Sequence, residues 1–365
     1  MSKICHFSSL HPPRDPRIYE KECRSLAKAG YEVHLLVPNT PSTKTEEGVF
    51  LHGLDLPLNR WKRLLFGHRR MRKQLLAINA ELYHFHDPEL LPLGWKLRKK
   101  GKTVVYDAHE DLPRQMLSKA WLPPWLRKPL AFLAEKLENF FAGQMSAVVT
   151  PTPHLQQRFA KVNSRSVQVA NFTQLDETAL PPFAERPKKL LYVGTLLKVR
   201  GIAEMIEASA EAGYPLHLAG NWHSDSYESY CKNLPGWSNV CFHGYIGPEK
   251  KRQLLADSRI GLVLLHPIPN YLLAWPVKLF EYMAAGLPVI ASDFPLWQEI
   301  VQENDCGICV NPMDKKQIVQ AIRLFMEDDN MAEQMGRKGQ LAARQKYHWN
   351  SQEKNLLALY DEILR

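Results

Sequence analysis

No stretch of this 365-residue chain is apolar for long enough to span a bilayer, and its opening Met-Ser-Lys-Ile-Cys-His-Phe runs straight into a strand pattern, not a signal peptide. A cytoplasmic location is therefore expected. Cysteine is sparse. Six, at positions 5, 23, 231, 241, 306 and 309, sit mostly in apolar segments, which argues against a disulfide scaffold and predicts free thiols. Cys306 and Cys309 have the spacing of a redox motif or half a zinc site, but no second pair accompanies them and they enter the strand-like run Ile308 to Val310. Low-complexity tracts and internal repeats are missing. So are a complete phosphate loop, a dinucleotide fingerprint, a nucleophile elbow and a metal-ligand cluster, which weakens kinase, dehydrogenase and hydrolase readings.

What is present is ordinary globular material with a basic bias. Hydrophobic residues make up 45% and charged residues 23%, and 365 residues exceed what one core normally fills, so two domains are expected. The formal charge of +9 asks for an anionic partner: nucleic acid, anionic lipid or a phosphorylated substrate. No nucleic-acid module is present. Arg60, Lys62, Arg63, Arg69, Arg70, Arg72 and Lys73 form one acid-free stretch interleaved with Trp61, Leu64, Leu65, Phe66 and Met71. Such a stretch reads equally as a helix at an anionic membrane surface or as a solvated helix capping the domain.

Strand and helix patterns alternate throughout, the signature of parallel sheets flanked by helices. In the first half strands are expected at 3–8, 31–37, 81–85, 103–106, 147–150 and 167–170, with helices at 17–29 and 121–141, the latter packed on the sheet. The segment 171–188, with Pro181, Pro182 and Pro187 and both charge signs, has the composition of a linker. A second series of strands follows at 189–194, 216–219, 240–243, 260–265, 288–292 and 307–310, then polar helices, the last over 350–364.

In open parallel sheets, ligands bind beyond the carboxyl ends of the strands. The residues there in the first half include Asp15, His86 and the run Asp107-Ala-His109-Glu110. His109 is the stronger candidate of the two histidines, following the cleaner strand. In the second half Gly194 and Thr195 end a strand, and Arg200 beside Gly201 at a helix start suits a diphosphate clamp. Gly244-Tyr245 offers backbone and a ring to a base.

The run from Pro276 to Ser292 is the most informative. Pro276 suits the first helical position and Gly286 the left-handed stop, while Val277, Phe280, Met283 and Ala284 repeat at core-facing spacing. Lys278 and Glu281 share another face. A cation and a carboxylate near a helix N-terminus suit a phosphorylated, hydroxyl-bearing ligand such as a sugar nucleotide; a solvated ion pair is the competing reading.

Taken together, Arg17-Ile to His34, Asp107-Ala-His-Glu, Leu191-Tyr-Val-Gly with Arg200-Gly201, and above all Lys278-Leu-Phe-Glu-Tyr-Met-Ala-Ala-Gly-Leu-Pro to Ser292 resemble glycosyltransferase family 4. The resemblance covers nearly the whole chain. It implies an α/β, GT-B fold: two Rossmann-like domains with parallel sheets facing across a cleft. The acceptor-side domain would be 1–175 with the helix 348–365 crossing back, and the donor-binding domain 186–346. It implies a retaining, metal-independent hexosyltransferase that uses a nucleotide-sugar substrate, a UDP-sugar favoured, and no cofactor. The acceptor would be a saccharide or lipid-linked molecule of cell-surface polysaccharide or glycoconjugate biosynthesis, reached at the inner face of the membrane. His109, Arg200 and Lys278 become the expected catalytic residues. Gly194, Thr195, Arg200, Tyr245, Lys278, Leu279 and Glu281 become donor contacts, and Asp15, His86, His109 and Glu110 acceptor-side ones. Glu281 matches the second of the family's two glutamates; Leu273 stands at the first, and Thr195 follows Gly194 where the family has arginine. A catalytically degenerate nucleotide-sugar-binding protein and a two-domain epimerase or phosphorylase are the alternatives.

Overall fold

A computed structural model describes residues 2–55, 67–119, 121–176 and 180–365. They form two compact units, Met1–Asn171 with Trp349–Arg365, and Phe172–His348.

The first unit carries β1 (Lys3–Phe7), β2 (Glu32–Pro38), β3 (Thr43–Lys44), β4 (Phe50–Leu54), β5 (Leu82–Phe85), β6 (Thr103–Asp107), β7 (Ala147–Thr150) and β8 (Ser166–Gln168). They make one sheet in the order β3-β4-β2-β1-β5-β6-β7-β8, parallel except for the short edge pair β3–β4. The central strands are buried, as their continuous apolar runs require. One face packs Leu75, Leu93 and Phe159 over Phe7, Phe85 and Tyr106. The other packs Ile18, Tyr19 and the C-terminal helix Trp349–Leu364, through Trp349, Leu356, Leu359 and Tyr360.

The second unit carries β9 (Leu190–Val193), β10 (Leu216–Ala219), β11 (Val240–Gly244), β12 (Ile260–Val263), β13 (Val289–Ser292) and β14 (Gly307–Val310). Their order is β11-β10-β9-β12-β13-β14, all parallel. In each sheet the chain first builds outward to one side and then to the other. The reversals fall at β1/β5 and at β9/β12, where ligands of such sheets bind.

Several expectations change. The edge strand β3 and its neighbour β4 were not anticipated: two residues give no period, and His52-Gly53 interrupts the other. The 17–29 helix opens as a wide turn over Ile18–Cys23, in which the backbone N–H groups of Glu20 and Glu22 donate to the carbonyls of Asp15 and Arg17, five residues back, before a regular helix at Arg24–Lys28. Helix Pro124–Gly143 turns Ala131, Glu138 and Ala142 inward and packs Phe141 against the core, but leaves Trp125, Phe132 and Phe140 in solvent, so much of its apolar surface is not packed. The proline-rich 171–188 segment is no free linker, since Phe183 joins the second core and Phe172 lies against Trp275, Phe280 and Tyr347. Residues 60–66 of the basic stretch lie outside the described residues. The remainder joins helix His68–Ile78, with Met71 buried and Arg69, Arg70, Arg72 and Lys73 exposed. All six cysteines are free.

Candidate active site

At the end of β9, Gly194 has φ +152°, a backbone conformation that favours glycine. A Cβ there would lie 2.4 Å from Lys278 Cε, 2.6 Å from Lys278 Nζ and 3.4 Å from Arg200 Nη1. Absence of a side chain is thus what lets two cations lie over the strand end. Arg200 arrives from the short turn Lys198–Arg200, which stops at Gly201 (φ +67°) and feeds helix Ile202–Ala212. Lys278 arrives from helix Val277–Ala284, with its ammonium 5.3 Å from the centre of the Tyr192 ring.

Burial, and then the neighbouring Arg200 charge, pull Lys278 down from 10.5 to about 7, against the opposing pull of Glu281. The hydroxyls of Tyr192 and Tyr271 flank Arg200, whose Nε is buried without a hydrogen-bond partner. Glu281 is drawn to Lys251 at 2.6 Å. Two cations therefore share one corner with little carboxylate to neutralise them, an arrangement that stabilises a dianion.

Other expected donor residues are placed less uniformly. Thr195 is exposed, and its carbonyl accepts from the Tyr192 hydroxyl at 3.1 Å. The Leu279 side chain is fully buried in the core, leaving only its backbone for a ligand. Tyr245 is 79% exposed beyond β11. Pro276 caps helix Val277–Ala284 from outside instead of opening it, and Gly286 takes the left-handed conformation at φ +67°. Tyr271, which sequence reasoning missed, belongs with Arg200; a lone tyrosine in a proline-rich loop carries no signal of that.

In the first unit the strand ends hold a buried polar network around Asp107. Arg17 donates from Nε and Nη2 to the two Asp107 oxygens, each at 3.0 Å, and from Nη1 to the carbonyl of Val169. Beside it, His109 Nε2 lies 2.8 Å and His86 Nδ1 3.2 Å from Asp107 Oδ2. The guanidinium and His109 hold the Asp107 carboxyl well below the usual range despite burial. A proton on His109 Nε2 would be donated to Asp107, and that tautomer would offer Nδ1 to a ligand hydroxyl.

His86 is fully buried, and burial lowers it to about 4, against the pull of Asp107. Asp15 caps the following helix by accepting from the backbone N–H groups of Arg17 and Ile18, and lies 2.9 Å from His11 Nδ1. That is a structural duty at the position expected to meet an acceptor. Glu110 is exposed and bonded to Gln115. Tertiary structure also assembles what sequence spacing concealed: His6, Glu22, His84 and His86 converge, as do His86, Asp107 and His109, and His217, Cys241 and His243. Histidines at alternate positions of the apolar strand Tyr83-His84-Phe85-His86 were the available hint.

The family description "Glycosyl transferases group 1" matches residues 176–342, and "Glycosyltransferase Family 4" matches residues 19–176. The chain belongs to glycosyltransferase family 4 and has the GT-B fold. Among curated relatives it is 22% identical to the phosphatidyl-myo-inositol mannosyltransferase of Mycobacterium leprae, over 92% of this chain and 89% of that one. Among solved structures it is similar to the sucrose-phosphate synthase of Thermosynechococcus elongatus, with a TM-score of 0.81, 19% identity and coverage of 100% and 99%. It is also similar to Anabaena HepE in complex with UDP-glucose, with a TM-score of 0.76, 14% identity and coverage of 99% and 100%.

Proposed function

We propose that this glycosyltransferase moves a sugar from a UDP-sugar to a saccharide or lipid-linked acceptor, with retention at the anomeric carbon, in the assembly of a cell-surface polysaccharide or glycoconjugate. Convergence of Arg200 and Lys278 over Gly194 carries the reading. As the acceptor oxygen bonds to the anomeric carbon, the bond from that carbon to the diphosphate oxygen breaks, and negative charge builds on the leaving group. The two cations and nearby backbone N–H groups offset that charge, with no metal or cofactor required of the donor site. The acceptor proton passes to the departing diphosphate. Glu281 holds the ribose hydroxyls once Lys251 gives way, Tyr245 meets the base, and His109 Nδ1 accepts from a sugar hydroxyl. Residues 186–346 would supply the donor side, and 1–175 with 348–365 the acceptor side. The likeness to HepE supports a uridine donor, and that to the mannosyltransferase a lipid-linked acceptor.

A thermal-shift panel tests the donor side: uridine nucleotide sugars should raise the melting temperature more than guanosine ones. Slow hydrolysis of the stabilising donor is expected as well. Binding without any turnover would favour the degenerate-enzyme reading, for which Leu273 and Thr195 are the motivating departures.

Contact with the membrane has its support in helix Pro124–Gly143, more than in the basic stretch. Trp125, Phe132, Leu133, Leu137 and Phe140 form an exposed stripe at helical spacing, Trp125 at 75% and Phe132 at 63%, with Lys128 and Lys136 also exposed. No described helix is long and apolar enough to cross a membrane. Wild type should float with phosphatidylglycerol vesicles, and a Trp125→Ser/Phe132→Ser variant should remain behind; equal flotation would remove this helix from the interface.

A further inference from the structure

We infer that the first unit carries a buried site for one first-row divalent metal ion, formed by His6, Glu22, His84 and His86. One potential ligand atom from each residue lies within 4.8 Å of all the others, and all four residues are buried. Two of the imidazole nitrogens, His6 Nδ1 and His86 Nε2, are 3.0 Å apart, and Glu22 Oε2 is 3.8 Å from His6 Nδ1. A four-coordinate ion with bonds of ~2.0–2.1 Å holds its donors about 3.4 Å apart. Modest side-chain shifts would reach that spacing.

The outer contacts point the same way. In metal sites each ligating imidazole has its second nitrogen held by a carboxylate or another polar group, which fixes the ring. Here His86 Nδ1 lies 3.2 Å from Asp107, while His6 Nε2 and His84 Nδ1 lie 3.0 and 2.7 Å from the Tyr360 hydroxyl. Of the atoms facing inward, His84 Nε2 and Glu22 Oε2 are buried without a hydrogen bond, and Glu22 Oε1 has only its ion pair with Arg17 Nε at 3.1 Å. Unsatisfied groups of this kind are costly in a protein interior. Arg17 is the one guanidinium shared by the Asp107 and Glu22 carboxyls. A bound cation would satisfy the orphaned atoms and balance the second carboxylate together. Three imidazoles and a carboxylate suit zinc, iron, cobalt or nickel better than magnesium or calcium.

The ion would have a structural role, tying β1, β5 and the helical turn at Glu22 into one unit, with Tyr360 of the C-terminal helix as an outer support. The inference is independent of the donor chemistry proposed above. The test uses cobalt(II) as probe. The untagged full chain, purified from cells grown with cobalt, is expected to hold about one Co2+ per chain by elemental analysis and to show visible d–d bands. Glu22→Gln and His84→Gln should each reduce the content at least tenfold. A His217→Ala/His243→Ala variant, which removes the partly exposed imidazole pair of the second sheet, should keep it. Wild-type protein with a native circular-dichroism spectrum and no bound cobalt would overturn the site, even if the variants failed to fold. Cobalt that persists in Glu22→Gln and His84→Gln, or follows His217 and His243, would overturn it as well.

Discussion

Each unit gathers charged groups at the strand ends beside its reversal of strand order, yet the two settle that charge in opposite ways. Around β6 the guanidinium of Arg17 is divided between Asp107, a backbone carbonyl and Glu22, so the charge closes on itself at Asp107, and Glu22 is left for the ion inferred above. Around β9 Arg200 and Lys278 meet over a bare glycine, and Glu281, an acid that acts on Lys278, pairs with Lys251. A closed network rigidifies its surroundings, whereas an open one keeps affinity for a missing anion. Parallel architecture therefore leaves one unit suited to hold a shape and the other to hold a phosphate.

The comparison can be broken most severely at Arg17. Arg17→Leu strands the Asp107 carboxylate, and removing one member of a buried pair typically costs ~3–5 kcal/mol. Denaturant unfolding should move accordingly; unchanged stability would mean that the network is not closed in the way described. Next in size is Arg200→Ala, which should leave the fold intact and lower turnover by ~10²-fold or more. If turnover stays at the wild-type level, Arg200 is not in the site.

The third effect is a pH dependence of donor affinity. Lys278 in the free protein loses its proton near pH 7, held down by burial and Arg200. A bound diphosphate favours the ammonium and raises that value, so binding takes up a proton between the two. Affinity should be flat below about pH 7 and weaken by up to about tenfold per pH unit above it, until the bound-state value is passed. Calorimetry of UDP binding between pH 6 and 9 reads this directly. An equally steep fall in Lys278→Met would assign the titration to another group.

Among the described residues, twelve of the fourteen strands could be read from apolar runs between turn residues, because a parallel sheet buries its inner strands on both faces and leaves a strong local pattern. Only the edge strand β3 and its neighbour β4, short or interrupted, were lost. Lys278, Arg200 and Gly194 could be singled out because strand-end glycines and helix-start cations are short-range features. The long-range pairings of the first unit could not: Arg17 and Asp107 are 90 residues apart, and His6 and Tyr360 are 354 apart. Asp15 stands in the sequence as an acceptor-side candidate, and only the folded turn shows it capping backbone N–H groups.

Local periodicity and turn chemistry thus determined, from the sequence alone, the alternating α/β order, the helix stop at Gly286 and the cations of the second sheet, since each depends on neighbours within a few residues. Tertiary structure alone decided which charges cancel, because side-chain pairing across sheets depends on strand order, which no short window contains. It decided in the same way that four ligand-bearing residues from β1, β5 and an intervening helical turn meet in one buried place, and that the aromatic face of helix Pro124–Gly143 looks outward. Burial of a polar or apolar group is a property of the surfaces around it, and those are assembled only when distant segments pack.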